Sequence, residues 1–414
     1  MSSPVLAVDF GTSNSAAAII VDGQVKRLPI EADEETLPTA VFFPEGGAPM
    51  QIGREAGRSL IDGEEGRYMR ALKSILGTPL LHQSRMIEGK RRTLAEVVTA
   101  FLVAVKTQAE AHSGLVFERA LSGRPVRFHS KNAEQNEQAE ADLRDCYLAA
   151  GFKEVEFMFE PEAAALACRD MSATGLGLIV DIGGGTSDFS VFRQSGQGIE
   201  ILASHGVRLG CTDFDQRISV AHVMPLLGQG GQVRRTFGEG LLPVPAAIYQ
   251  DLATWPKIPF LYARETERLV EDLLVHAVEP KKIQRLKTVI QDHLGHEMAF
   301  SVEGGKIASN SVGVRSEIDL GFVERGLTAP ITTGTMNGAL TEFRAQLSGA
   351  MYETLMRSSV GPGQIDNAIL VGGSSLMKIV SDEVQTVCPS AKQHQSEAFT
   401  AVVDGLALAT GEVG

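Results

Sequence analysis

The stretch VDIGGGTSDFSVF, Val180 to Phe192, carries three glycines and a threonine between two aspartates, with apolar runs on either side. The flanks LGLIV and FSVF have the branched and aromatic composition of strands, so the glycines read as the tip of a hairpin. A glycine tip lets another group come close to the backbone. Backbone N–H groups turned toward one point bind anions, and aspartates beside them repel an anion unless a cation lies between. A phosphate with magnesium satisfies all of these groups. A glycine-rich surface hairpin with solvated aspartates accounts for the segment equally well when it is taken alone.

A second copy breaks that tie. VLAVDFGTSNSAAAII, Val5 to Ile20, has the same order: a branched strand, Asp9, an apolar residue, Gly11, Thr12, a small polar residue and a second apolar strand. Asp9 aligns with Asp181, Gly11 with Gly183 and Thr12 with Thr186. Two such hairpins heading two halves of a chain read as a two-lobed phosphate clamp.

The rest of the chain fits a globular protein. Its 414 residues are 43% hydrophobic, enough for two or three domain-sized units. A balance of 38 basic against 51 acidic residues, net −13, argues against a general nucleic-acid or anionic-membrane binder. The basic cluster KRR, Lys90 to Arg92, reads as a solvated helix entry. Cys146, Cys168, Cys211 and Cys388 are scattered with no CxxC spacing, which suggests neither a zinc site nor a disulfide framework and suits a reducing cytoplasm. The N-terminus lacks a basic n-region with a cleavage site, and no apolar run reaches membrane-spanning length, so a soluble cytoplasmic protein is expected.

Between the hairpins, Thr93 to His112 has helical spacing and a capping threonine three residues before Glu96, which predicts a long core helix. Glu134 to Phe152 predicts a helix ending at Gly151, and EVEFMF a strand. In FEPEAAALACRD, Pro161 sits just inside a helix start. Glu160 is then at a strand-to-helix junction, where its carboxylate either points into a cleft or interacts with its own helix N-terminus. Beyond the second hairpin, HGVRLGCTDFDQRI places a glycine turn before two acidic residues and a helix. From His222 to Ala299 the pattern becomes irregular and then helical again, as an inserted subdomain would. Ser301 to Asn310 predicts a helix with Glu303 and Lys306 one turn apart on one face. His293 and His296, three apart with no third ligand, read as two surface histidines. Ile365 to Gln385 is a strand, a Gly-Gly-Ser turn and an amphipathic helix, whose N-terminus suits a phosphate or hydroxyl oxygen. EAFTAVVDGLALATG closes the chain as a helix.

Taken in order, these pieces resemble the actin-like ATPases, and within them the DnaK-type, seventy-kilodalton (Hsp70) heat-shock chaperones. VDFGTSNS resembles their first phosphate motif, ALKSILG the segment of the catalytic lysine, FEPEAAAL a connecting motif and VDIGGGTSDFSV the second phosphate motif. LGCTDFDQR, EGGKIASN, ILVGGSSLM and VVDGLALATG match, in turn, the entry to the upper half of lobe two, the adenosine-side helix, the adenosine motif and the second connecting helix. The insertion LLPVPAAIYQDLATWPKIPFLY with LGHEMAFSVEGGKIA is similar to that of YegD-like bacterial homologues, described as chaperones and consisting of a nucleotide-binding module.

The resemblance implies an α/β, actin-like (ribonuclease H-like) fold of two lobes with a deep central nucleotide cleft. Lobe I would span 1–175, with 398–414 returning to it and a small subdomain at about 34–115. Lobe II would span 176–397 with an inserted upper subdomain at about 217–328, and no peptide-binding domain is expected. ATP or ADP with Mg2+ is the implied ligand. Asp9 and Asp181 would hold the hydrated metal, with Asp188 (through water) and Glu160 as outer acceptors of its waters. Gly11, Thr12, Ser13 and Asn14 with Gly183, Gly184 and Gly185 would cradle the phosphates beside Gly210, and Thr186 would touch the γ-phosphate. Lys73 would be the catalytic cation; read without ALKSILG around it, it is a solvated lysine near a helix end. Glu160 or Asp181 would orient water. Adenosine would lie between Gly372, Gly373 and Ser374 on one side and Glu303, Lys306 and Asn310 on the other. Leu376 replaces the family's adenine-stacking arginine, Ile307 a cation and Asn310 a serine, so weaker or less selective adenine binding is expected.

The implied activity is a weak Mg-dependent ATPase that opens and closes its lobes, a chaperone or chaperone-like switch read by an unidentified protein partner or co-chaperone. A nucleotide-binding scaffold or filament-forming actin-like module with negligible hydrolysis is the alternative. A small-molecule kinase is disfavoured because no base loop for a hydroxyl substrate is apparent.

Overall fold

The computed structural model describes residues 4–32, 34–87, 89–129, 132–168, 175–195, 198–235, 238–310, 316–395 and 400–411. The chain divides into two compact units, Met1–Gly210 with Gln346–Gly414, and Cys211–Ala345. The lobe boundary expected at 397–398 lies outside the described residues. The insertion expected at about 217–328 falls inside the second unit.

The first unit is built twice on one plan. Strands β1 (Val5–Phe10), β2 (Asn14–Val21), β3 (Gln24–Leu28), β4 (Arg119–Arg124) and β5 (Glu154–Phe159) form a sheet of order β5-β4-β1-β2-β3, with Leu37–Pro38 added beside β2. Strands β6 (Gly175–Ile182), β7 (Ser187–Ser195), β8 (Gly198–Val207), β9 (Asn367–Val371) and β10 (Lys392–Gln395) form a second of order β8-β7-β6-β9-β10. In both, the first three strands are an antiparallel meander and the last two are added parallel to the first. The similarity between the two hairpins in sequence therefore extends to whole sheets.

Helix α1 (Leu94–Ser113) opens on a capping box in which Thr93 accepts from the Glu96 N–H and Glu96 accepts from the Thr93 N–H. KRR is a strand rather than a helix entry. Lys90–Arg92 pairs with Arg85–Ile87 in a short antiparallel hairpin, and the helix begins only after Thr93. Helix α2 (Ala133–Ala149), capped by Asn132, crosses from β4 to β5, and α3 (Glu160–Ala167) follows β5 directly. In the second half, α8 (Lys378–Val387) and α9 (Ala401–Gly411) occupy the matching places.

Alternation along β1 sends Leu6, Val8 and Phe10 into one core with Phe101, Val105 and Tyr147, while Ala7 joins a second core with Ala163, Ala164, Val403 and Leu406. Alanines on that face let α3 and α9 come close to the sheet and to each other. At Gly405 a Cβ would run into the Ala163 backbone, so the crossing of α3 and α9 requires glycine there. Arg27 on β3 donates to both carboxylate oxygens of Asp404 on α9, at 2.8 and 2.7 Å.

In the second unit, α4 (Cys211–Ile218) precedes short irregular segments, then the amphipathic pair α5 (Arg264–His276) and α6 (Pro280–Gln291), which bury Val270 and Leu273 and Ile283, Leu286 and Val289. Helix α7 (Gly295–Ser309) follows. His293 is exposed and stacks on Tyr262 at 4.1 Å. His296 is not a surface residue: one turn further on, it is 7% exposed and packs 5.4 Å from Trp255. Among the described residues, no helix is long and apolar enough to cross a membrane.

Candidate functional site

Both hairpin tips form as expected and they touch. The second is closed by the Gly183 N–H, which donates to the Thr186 carbonyl at 2.9 Å. A Cβ on Gly184 would meet the Ser13 hydroxyl and the Thr12 side chain of the first tip. In the first tip, a Cβ on Gly11 would meet the Asn14 carbonyl, which fixes that turn's tightness. Gly210 abuts the Gly184 and Gly185 backbone. At Gly372 the backbone takes φ +82°, and a Cβ would stand 2.9 Å from Asp181 Oδ1. The turn Gly373–Leu376 follows, with Ser374 buried and Ser375 Oγ donating to the Gly372 carbonyl at 2.7 Å.

Lys73 lies in the tight turn Leu72–Ile75, behind Ala71 at φ 60°, and is 7% exposed. Its Nζ donates to Glu160 Oε1. Glu160 opens α3, ahead of Pro161, and stands against Gly123 at the end of β4. The sequence treats Lys73 and Glu160 as separate candidates; the structure joins them as an ion pair of a buried lysine with a partly buried carboxylate.

The second hairpin's register places Asp181 directly opposite Asp188. The two are 8% and 2% exposed. Burial, reinforced by the Glu160 charge, raises Asp188 to about 8, although Lys73, Thr186 and the Val126 N–H pull it down. Asp188 Oδ1 has no hydrogen-bond partner. Desolvation and then Glu160 raise Asp9 to about 7, against the pull of Lys73. Asp181 is pushed well above the usual carboxylate range by burial first, then by Glu160, Asp188 and Asp9. Burial lowers Lys73, but Glu160 and Asp9 outweigh it and the ammonium is held on. Four carboxylates thus converge on one lysine. Their proton affinity and the orphaned Asp188 oxygen are what a divalent cation would relieve, so this donor set fits a hydrated magnesium ion.

The Thr186 hydroxyl, expected on a phosphate, donates to Asp188. Three supporting groups were not anticipated. Asp142, buried on α2, accepts from the Gly77 N–H at 2.8 Å, from Gln138 Nε2 at 2.8 Å and from His82 Nε2 at 3.1 Å. His129 Nε2 donates to the Leu76 carbonyl at 2.6 Å. Together they anchor the turn that carries Lys73. The Val126 N–H fastens Asp188 from the loop after β4. The sequence holds a signal for Asp142 alone, which falls in the buried Ala139-Leu143-Cys146 periodicity of α2 where an apolar residue is the norm.

Within the second unit, Glu303 and Lys306 lie on α7 and Asn310 caps it. Lys306 is buried and already engaged, 2.7 Å from Asp215 Oδ1 and 2.7 Å from Cys211 Sγ. Burial lowers its pKa, and the two partners more than reverse this. Ile307, in the place of the expected cation, is 66% exposed. Glu160, Asp181, Thr186, Asp188 and Gly210 all fall within residues 80–229, and over that segment the chain is similar to the family described as Hsp70 protein.

Proposed function

We propose that this chain is an Hsp70-like nucleotide-binding protein that hydrolyses ATP slowly and couples the nucleotide's state to opening and closing of two lobes. The observation that carries the reading is the convergence of Asp9, Glu160, Asp181 and Asp188 on Lys73 beside two touching glycine tips. A surface hairpin has no reason to gather four carboxylates, two of them buried, around one lysine.

Asp9 and Asp181, with Asp188 through water, are the residues to hold magnesium, which when bound supplies charge neutralisation at the transferring phosphoryl group. The tips at Thr12 and Ser13 and at Gly183 to Thr186 offer backbone N–H groups and hydroxyls to phosphate oxygens. Lys73, fixed by Glu160 and by the Asp142-anchored turn, presents its ammonium without reorganising. Glu160 or Asp181 orients the attacking water and takes up its proton. Glu303, Lys306 and Asn310 are the adenosine-side residues of this reading, and Gly372 to Ser374 its adenosine motif. Leu376 removes a cationic stack of roughly 0.5–2 kcal/mol, and base selectivity is correspondingly relaxed. The finer likeness to YegD-like homologues rests on the Pro-rich insertion, and a chaperone-type partner follows from the Hsp70 likeness.

Calorimetric titration with ATP, ADP and GTP, with and without magnesium, tests the binding. Phosphate release by the wild type against Asp181→Asn tests the hydrolysis. Magnesium-dependent binding, with release abolished in the variant, is expected; absence of binding overturns the reading.

A further inference from the structure

Cys211 opens α4 and is partly exposed, with Lys306 Nζ 2.7 Å from its sulfur. Lys306 is itself held by Asp215 Oδ1 at 2.7 Å, so the ammonium is fixed against the sulfur rather than swinging in solvent. Glu303 brings a third charged group, its carboxylate within 4.8 Å of the Cys211 and Asp215 ligand atoms. The three could be taken for a metal site, but the lysine ammonium already sits against two of them.

Among the described residues, charged groups facing the sulfur include Lys306 and Glu303 on α7 and Asp215 on α4, to whose Oδ2 the Cys211 thiol donates at 3.7 Å. The cation is the nearest of them, and Asp215's charge is engaged by the same cation. The N-terminus of α4 adds its own positive end. Both features favour thiolate over thiol, against the opposing pull of the Glu303 and Asp215 carboxylates.

We infer that Cys211 is a modification site for hydroperoxides, its thiolate held against the Lys306 ammonium. The thiolate sulfur attacks one oxygen of the peroxide and an S–O bond forms as the O–O bond breaks. Sulfur is oxidised by two electrons and the peroxide is reduced. With hydrogen peroxide, the departing hydroxide takes the remaining peroxide proton and leaves as water. The product sulfenate keeps its negative charge beside Lys306. Two cysteines provide internal contrast: burial pushes Cys146 and Cys388 up to about 11, where a thiolate is scarce.

The test uses the full chain, exposed to limiting hydrogen peroxide with a dimedone-type sulfenate probe and read by peptide mass spectrometry at each cysteine. Cys211 is expected to label on the order of tenfold or more faster than Cys146 and Cys388, and faster than the same residue in urea-unfolded protein. Lys306→Met should abolish the advantage over the unfolded chain, and Lys306→Arg should keep most of it. Equal labelling of Cys211 in native and unfolded protein overturns the inference, as does a folded Lys306→Met protein that labels at the wild-type rate. If Lys306→Met does not fold, the pH profile of iodoacetamide alkylation of wild-type Cys211 decides. A plateau reached below the ordinary thiol value of about 8.5 supports the inference, and a rate still climbing through that value overturns it.

Discussion

Asp181 on β6 and Asp188 on β7 are directly opposed in the antiparallel register, both buried and both on one face of the sheet. Like charges so placed are destabilising, and the orphaned Asp188 oxygen adds an unmet hydrogen-bonding need. Asp188→Asn keeps the shape and removes a group that must either carry a charge beside Asp181 or take up a proton. In chelator-treated, nucleotide-free protein it is expected to raise the thermal midpoint by a few degrees, on the order of 1 kcal/mol. The same variant should bind ATP with magnesium at least about tenfold more weakly. Calorimetry of both proteins checks the two halves, and a midpoint lower than wild type would show that the pair is already compensated.

Lys73 and Glu160 permit a cleaner separation of stability from chemistry. Lys73→Ala strands Glu160, 13% exposed, among the other carboxylates, so a loss of roughly 3–5 kcal/mol is expected. Lys73→Ala with Glu160→Ala should recover much of that stability while phosphate release stays at least about a hundredfold down. Denaturant melts and steady-state release of the wild type, Lys73→Ala, Glu160→Ala and the double variant measure the coupling. Recovery of release in the double variant would reduce the pair to a structural ion pair.

At Gly184 the contact is between the tips themselves. An alanine methyl would press on Ser13 and Thr12, so Gly184→Ala must push the hairpins apart or shift their side chains. Nucleotide affinity is expected to fall by at least about tenfold, with a stability change within the usual 0.5–3 kcal/mol of a point substitution. Titration calorimetry and a denaturant melt check this together. An unchanged affinity would mean that the two tips do not jointly hold the phosphates.

Much of this was legible because hairpins and caps are local. Asp9, Asp181 and the glycines announced both tips, and Thr93 with Glu96 announced α1, since each signal lies within a few residues of what it determines. The pairing of Lys73 with Glu160 spans 87 residues and has no local signature. KRR misled because basic residues before a capping threonine suit a helix entry, whereas cross-strand pairing with Arg85–Ile87 is decided in tertiary space. His296 misled for the opposite reason: two histidines three apart suit an exposed face, whereas the His296 ring packs on Trp255, which in turn meets Phe300 edge-on in a core.

Asp142 is the supporting residue whose loss should be felt at a distance. Asp142→Ala leaves the Gly77 N–H without its buried acceptor, a cost of about 1–3 kcal/mol. The turn that places Lys73 then keeps the His129 bond to the Leu76 carbonyl and the packing of buried Leu72 and Leu76, without the anchor at Gly77. Phosphate release is expected to fall by at least about tenfold with nucleotide affinity little changed, because the hairpins are untouched. Asp142→Asn, which retains an acceptor, should restore most of the rate. Equal losses of affinity and rate in both variants would point to general loosening instead of positioning.

His296 sets an acid limit on the second unit. Burial lowers it from an ordinary 6.5 to about 4, so the folded protein keeps it neutral where the unfolded chain would protonate it. Between those values the unfolded state binds the extra proton, and stability therefore falls as the pH drops from about 6.5 to about 4. The full loss is on the order of 3 kcal/mol. His296→Gln removes the titrating group and should flatten this part of the profile, measured as urea midpoints from pH 4 to 7 for both proteins. Parallel profiles would mean that other groups govern acid unfolding and that the imidazole sheds its cost by local opening around Trp255.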